Sequence, residues 1–284
     1  MLAYRHAFHA GNHADVLKHV VLVQVLRYLA TKDKPFTLVD THAGAGGYSL
    51  ESRYASRHAE HAQGIGRLWG RTDLPPALAD YLALVRQFNG GDALTQYPGS
   101  PAFAQMLLRP ADRLRLYELH PTDHRILAAY LGSRPNTQVL QADGFAALKA
   151  ELPPPSRRGV VLIDPSYELK RDYPRVVAAL REALARFADG VVIVWYPQLA
   201  TLESTQLPQR LQGAADALAK KGWLHARLTL QPGDERGFGL LGSGVFVVNP
   251  PFVLHDSLRG LLPFLVDALG LYAGANYLLE QRAG

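Results

Sequence analysis

The sequence predicts an α/β fold built on one mostly parallel, doubly wound sheet, and three observations carry that prediction. Short apolar runs rich in β-branched residues recur along the chain, and most end at a turn. Helical stretches fall between several of these runs, which is the alternation a parallel sheet requires. Acidic residues close three successive runs, at the edge where open α/β sheets bind ligands.

Residues 12–30 read as the first helix. Asn12 is placed to cap it and Asp15 follows three positions on, close to a capping box. The stretch VLKHVVLVQVLRYLA is apolar on most sides, so this helix is expected to be well buried. After the linker TKDKP, FTLVD (36–40) reads as a buried strand that runs into the glycine turn THAGAGGY. The next strand starts only near Arg113. The interval from Ser49 to Tyr97 holds two helical stretches, YASRHAEHAQGIGRLW and PPALADYLALVRQFN. We read residues 49–97 as a small helical subdomain inserted into a core of residues 1–48 and 98–284. Strands RLRLYEL (113–119), TQVLQA (137–142), GVVLID (159–164) and GVVIVWYP (190–197) follow. PTDHRILAAYL, FAALKAEL and YPRVVAALREALARFA are the helices between them. WLHARLTLQP and GVFVVNPP have a loop but no helix between them, which predicts an antiparallel hairpin on one edge of the sheet.

Composition narrows the chemistry. With 284 residues, 48% of them hydrophobic, the chain can bury a sizeable core. No apolar run approaches the roughly 20 residues of a membrane span. The polar, His-rich N-terminus does not read as a secretory signal, so a cytoplasmic protein is expected. The absence of cysteine removes disulfides, cysteine zinc sites and thiolate nucleophiles. Methylation of pyrimidine ring carbons and zinc-dependent deamination are disfavoured with them. A net charge of +5 suits a polyanionic partner.

The loop Asp40-Thr41-His42-Ala43-Gly44-Ala45-Gly46-Gly47 lies at the carboxyl end of the first strand, where Gly44 and Gly46 let backbone approach a ligand. A dinucleotide fingerprint needs glycine at position 49, which is Ser49. The shorter pattern fits the loop that S-adenosylmethionine enzymes place under the methionine moiety. Glu118 falls where a carboxylate accepts from both ribose hydroxyls, and Asp143-Gly144 where an acid meets the adenine amine.

Asp164 closes the fourth strand in Asp164-Pro165-Ser166-Tyr167, which resembles the D/N-P-P-Y/F signature of amino methyltransferases. The adenine amine is a poor nucleophile because its lone pair is delocalised into the ring. A carboxylate and the Pro165 carbonyl can accept both N–H bonds and aim that lone pair at a methyl donor. Tyr167 offers a stacking face. Asn249-Pro250-Pro251-Phe252 matches the signature better by letter, but follows what should be the last strand, at the sheet edge. His9 and His13 have a helical metal spacing that Gly11 and Asn12 interrupt, and no metal is expected. Arg157, Arg158, Lys170 and Arg171 are candidates for phosphate contacts or for solvated charge.

With these pieces in place the chain resembles the bacterial 23S ribosomal RNA adenine-N6 methyltransferase family RlmJ. The segments that carry the resemblance are YRHAFHAGNHADVLKH (4–19), DKPFTLVDTHAGAGGY (33–48), YPGSP (97–101), ELHP (118–121), ADGF (142–145), SRRGVVLIDPSYELK (156–170) and WYP (195–197). Ser166 departs from the usual proline of the signature. The resemblance implies a Rossmann-like class I methyltransferase fold with an inserted helical subdomain. It also implies that His19, His42, Ser100, Glu118, Asp143 and Gly144, with Asp164 at the reacting end, contact S-adenosylmethionine, and that Asp164 holds the target amine. Tyr4, His6 and Lys18 would form the N-terminal motif that approaches the RNA. The implied substrate is protein-free or partly assembled ribosomal RNA, and the implied acting form is a monomer. A DNA adenine-N6 methyltransferase and a non-catalytic RNA-binding assembly factor on the same scaffold are the alternatives.

Overall fold

The computed structural model describes residues 6–52, 59–233 and 239–284. The predicted RNA-contact residue Tyr4 lies outside them. A short 3-10 turn, His6–Phe8, leads into helix α1, His13–Ala30. The helices that follow are α2 (Glu60–Gln63), α3 (Ile65–Leu68), α4 (Pro76–Asn89), α5 (Ser100–Leu107), α6 (Pro121–Leu131), α7 (Gly144–Glu151), α8 (Asp172–Arg186), α9 (Leu202–Leu218) and α10 (Leu254–Leu269). The strands are β1 (Thr37–Asp40), β2 (Gly47–Ser49), β3 (Gln96–Pro98), β4 (Arg113–Tyr117), β5 (Thr137–Leu140), β6 (Gly159–Ile163), β7 (Val191–Gln198), β8 (Trp223–Thr229), β9 (Gly242–Val248) and β10 (Asn276–Arg282).

Eight strands form the central sheet in the order β10-β8-β9-β7-β6-β1-β4-β5. The pairs β7–β6, β6–β1, β1–β4 and β4–β5 are parallel. β9 runs antiparallel to β7 on one side and β8 on the other. The strand order reverses direction at β1 and β6, so the loops after these two strands diverge and leave a crevice.

Alternation along the strands sends side chains to two apolar layers. Leu38, Leu162, Ile193 and Val247 join the layer that contains α1, α4 and α10. Val39, Ile163, Val194 and Phe246 join the layer that contains α8 and α9. Helix α1 buries 14 of its 18 residues, as its all-round apolar pattern requires. Asn12 caps it, with Oδ1 accepting from the Ala14 and Asp15 backbone N–H groups. The Asp15 carboxylate reaches back one residue further than in a standard capping box and accepts from Gly11 N at 2.9 Å. Gly11, at φ +78°, makes the sharp entry that brings the 3-10 turn over the start of α1.

Three departures from the sequence reading have physical causes. The hairpin β8–β9 forms but is not at the edge, because β10 pairs antiparallel with β8 from Asn276↔Thr229 to Arg282↔Trp223. Consequently β9 is neither the last strand nor an edge strand. Being antiparallel, it delivers Asn249 to the end of the sheet opposite Asp164. There Asn249 Nδ2 donates to the carbonyls of Ala188 (2.8 Å) and Gly190 (2.7 Å), and Oδ1 accepts from Lys220 N and Lys221 N. The better match by letter is therefore a structural clamp. Finally, β2 and β3 pair antiparallel, Gly47↔Pro98 to Ser49↔Gln96, and close the neck of the interval read as an insertion. Its helix α4 contributes Leu78, Tyr81 and Leu82 to the same apolar layer as α1.

Candidate active site

The carboxyl ends of the central strands surround a cleft of about 500 Å³. His6, Lys18, His19, His42, Gly44, Ser100, Glu118, Asp143, Gly144, Asp164, Pro165 and Tyr167 all line it. Gly46 does not. At φ +84° it turns the loop away from the cleft, and a side chain there would meet Leu127.

One wall is built by the strand-end acids. Glu118, just past β4, accepts from Gly44 N through Oε2 (2.8 Å) and from His120 N through Oε1 (2.6 Å). Each oxygen keeps a second lone pair toward the cleft. Asp143 caps α7 through Phe145 N (3.0 Å) and pairs with Arg175 at 2.5 Å. The Arg175 guanidinium also lies 4.6 Å from the Phe145 ring centroid. The His42 ring meets the edge of Phe145 at 4.7 Å, and burial pushes its pKa down to about 4, so it is neutral at pH 7. Gly144 is required at the floor, since a Cβ there would sit 2.0 Å from the Thr41 carbonyl oxygen.

The opposite wall centres on Asp164. Lys18 Nζ lies 2.6 Å from Asp164 Oδ2 and 2.9 Å from Asp15 Oδ1. Asp15 Oδ2 in turn bonds His6 Nε2 at 2.8 Å. Burial alone would lower the Lys18 pKa, but the two carboxylates hold it above the ordinary lysine range, so the ammonium is retained. Burial would likewise raise Asp15, and His6 and Lys18 outweigh it, so Asp15 stays ionised. Burial pushes Asp164 above the usual carboxylate range, with Lys18 opposing it. Tyr167 adopts a left-handed conformation (φ +54°) and donates its hydroxyl to the Trp195 carbonyl at 2.6 Å. Its ring packs on Tyr173, with centroids 4.9 Å apart.

Beneath the glycine turn, Ser100 Oγ donates to Asp40 Oδ2 at 2.6 Å. Burial raises the Asp40 pKa to about 7 despite that bond. His19 Nδ1 is 2.8 Å from Tyr97 Oη, which is 2.8 Å from Tyr81 Oη. His19 Nε2 is buried with no hydrogen-bond partner.

These features fit S-adenosylmethionine, a ligand with a carboxylate, a ribose and an adenine. The orphaned Nε2 of His19 suits the carboxylate. Glu118 suits the ribose hydroxyls, and Asp143 beside His42 and Phe145 suits the adenine. Sequence reasoning missed four residues of this constellation. Asp15 was visible only as a helix cap, and Tyr97 only as a letter in YPGSP. Trp195 was visible only as a letter in WYP, and Tyr81 carried no signal, because only the tertiary fold brings it against Tyr97.

A sheet ordered β5-β4-β1-β6-β7-β9-β8, with acids at the ends of β4, β5 and β6 around one cleft, defines a class I S-adenosylmethionine-dependent methyltransferase. The family model described as "Ribosomal RNA large subunit methyltransferase D, RlmJ" matches residues 33–279, and the chain belongs to that family. It is 45% identical over 269 residues to Ribosomal RNA large subunit methyltransferase J of Escherichia coli (strain K12), covering 95% of this chain and 94% of the relative. Identity to the Haemophilus influenzae protein of the same name is 44% over 271 residues, with the same coverage. Among solved structures it is similar to the protein LPL1258 from Legionella pneumophila str. Philadelphia 1. That match has a TM-score of 0.87 and 35% identity, over 96% of this chain and 98% of the other.

Proposed function

We propose that the protein transfers a methyl group from S-adenosylmethionine to the exocyclic N6 amine of an adenine in 23S ribosomal RNA. The observation that carries the proposal is the position of Asp164. It ends β6 at the sheet's switch point, shares one cleft with the strand-end acids, and has one oxygen engaged by Lys18. S-adenosylmethionine, when bound, supplies an electrophilic methyl group on a sulfonium. His19, His42, Gly44, Ser100, Glu118, Asp143 and Gly144 are the residues that would hold it.

Lys18 occupies Asp164 Oδ2 and leaves Oδ1 for one N–H of the adenine amine. The Pro165 carbonyl accepts the other, which concentrates electron density on nitrogen. Tyr167, braced by Tyr173 and Trp195, gives the base a stacking face. Asp164 is suited to take the proton that the amine loses, because burial raises its proton affinity. Neutral histidines on the cofactor wall add no charge to repel a cationic donor.

Tyr4, His6 and Lys18 are the residues of the N-terminal motif that would approach the RNA, and residues 49–97 act as a helical unit inserted into a core of 1–48 and 98–284. We read the acting form as a cytoplasmic monomer and its substrate as protein-free or partly assembled large-subunit RNA. Among the described residues no helix is long and apolar enough to cross a membrane. The test is nucleoside mass spectrometry after incubation with S-adenosylmethionine and either protein-free 23S ribosomal RNA or duplex DNA. N6-methyladenosine in the RNA alone is expected. Methylated DNA with unmodified RNA would overturn the substrate, and no methylation of either would overturn the reaction.

A further inference from the structure

Helices α2 and α3 grip the turn through which the chain enters α1. At their junction Ile65 N donates to the Gly11 carbonyl at 2.9 Å. A Cβ on Gly64 would stand 2.2 Å from that carbonyl oxygen, so backbone meets backbone there with no room for a side chain. Glu60, the first residue of α2, adds a polar clasp. Its Oε2 accepts from Asn12 Nδ2 at 2.9 Å, and its two oxygens lie 2.9 and 3.0 Å from His9 Nδ1. Burial would raise the Glu60 pKa, but the bonds from His9 and Asn12 outweigh it, so the carboxylate is ionised and accepts from both.

The clasped turn bears on the target-amine wall. His9 N donates to the His6 carbonyl (2.8 Å) and Asn12 N to the His9 carbonyl (3.0 Å), so residues 6–12 are wound as one unit. From its start His6 Nε2 reaches Asp15 Oδ2 at 2.8 Å, and Gly11 N donates to the same oxygen at 2.9 Å. Asp15 Oδ1 holds Lys18, and Lys18 holds Asp164. His6, His9 and Asn12 line the cleft, whereas Glu60 does not. Any influence of Glu60 on the reaction therefore passes through the turn.

We propose that Glu60 is a positioning residue that clasps the His6–Asn12 turn to the insertion, so that His6 keeps Asp15, and through Asp15 and Lys18 the Asp164 carboxylate, in place. The interval read as an insertion thereby anchors the N-terminal motif over the cleft. The consequence for methyl transfer rests on the reading of Asp164 given above. The anchoring itself does not depend on that reading.

The experiment is amide hydrogen exchange of the full chain, read by mass spectrometry, paired with single-turnover methyl transfer to 23S RNA and calorimetry of S-adenosylhomocysteine binding. In Glu60→Ala the amides of residues 6–12 are expected to exchange about tenfold faster, with β1 and β6 unchanged because the fold is intact. Transfer is expected to fall by about tenfold and affinity for S-adenosylhomocysteine to stay within about threefold. Glu60→Gln keeps one acceptor oxygen and is expected to fall between wild type and Glu60→Ala in both exchange and rate. In a His6→Ala background Glu60→Ala is expected to cost less than about twofold more, since its effect passes through His6. Wild-type exchange over residues 6–12 in Glu60→Ala would overturn the proposal. So would a rate that the loosened turn leaves unchanged, or costs that add in full to those of His6→Ala. A wild type with a protected turn but no methyl transfer would sink the reading of Asp164 instead, and the exchange result would still decide the anchoring.

Discussion

Lys18 and Asp164 stand at the centre of the site as a buried ion pair whose second carboxylate, Asp15, is tied to His6. Replacing Lys18 by methionine keeps the bulk of the side chain and removes the ammonium that opposes burial at Asp164. The Asp164 pKa therefore rises further. Because the amine is held by the ionised carboxylate, the acid limb of the pH–rate profile for methyl transfer moves to higher pH. The rate near neutrality falls with the ionised fraction, tenfold for each pH unit by which the limb passes the assay pH. An acid limb unchanged from wild type would contradict the pairing. The same substitution leaves Asp164 without its counter-ion and Asp15 with His6 alone, and destabilises the fold by roughly 3–5 kcal/mol, measurable by denaturant titration. Much of this residue-level chemistry was legible from strand-end acids alone, because Glu118, Asp143 and Asp164 each end a run whose apolar pattern is plain. Asp15 was not, because a capping role explained it locally and only the fold places Lys18 between it and Asp164.

Among the elements, β9 decides between the two signature-like tetrapeptides. Its antiparallel course carries Asn249 to the far end of the sheet, where four hydrogen bonds and a left-handed backbone (φ +52°) make it a clamp between β7 and the turn before β8. Asparagine tolerates that conformation better than most side chains. Asn249→Ala is expected to cost about 2–4 kcal/mol of stability, because buried backbone groups lose their partners. Methyl transfer per folded molecule should be unchanged, as urea unfolding and active-fraction kinetics would show. A loss of turnover without a loss of stability would revive the rival motif. The five parallel strands and the helices between them were legible in the sequence, since β1 and β6 are buried throughout and the shorter runs of β4 and β5 end at turns that lead into helices. Strand β10 was not: five of the seven residues of NYLLEQR are exposed, so no buried face imposes an alternation. Helices α9 and α10 were obscured by the internal prolines Pro208 and Pro263, which ordinarily argue against a helix.

At the scale of the molecule, the sheet has a chemical end and a structural end. Arg158 lies at the structural end, where its guanidinium donates to the carbonyls of Leu29 and Lys34 and joins the end of α1 to the start of β6. It is thus a brace and not a phosphate contact. Arg157 is exposed beside it, whereas Arg171 is exposed on the cleft rim. Arg171→Glu is expected to weaken binding of a 23S RNA fragment by about tenfold at low salt and to flatten its salt dependence, and Arg157→Glu to do neither. Equal effects from the two ends in a filter-binding titration would contradict this polarity. The claim on which the whole account depends is that Asp164 acts on the amine while the cofactor is held chiefly by other residues. Single-turnover methyl transfer by Asp164→Ala, measured beside its affinity for S-adenosylhomocysteine, tests it most directly. The account predicts affinity within about fivefold of wild type and transfer reduced on the order of a thousandfold. Transfer at the wild-type rate, or a loss of affinity as large as the loss of transfer, would contradict it.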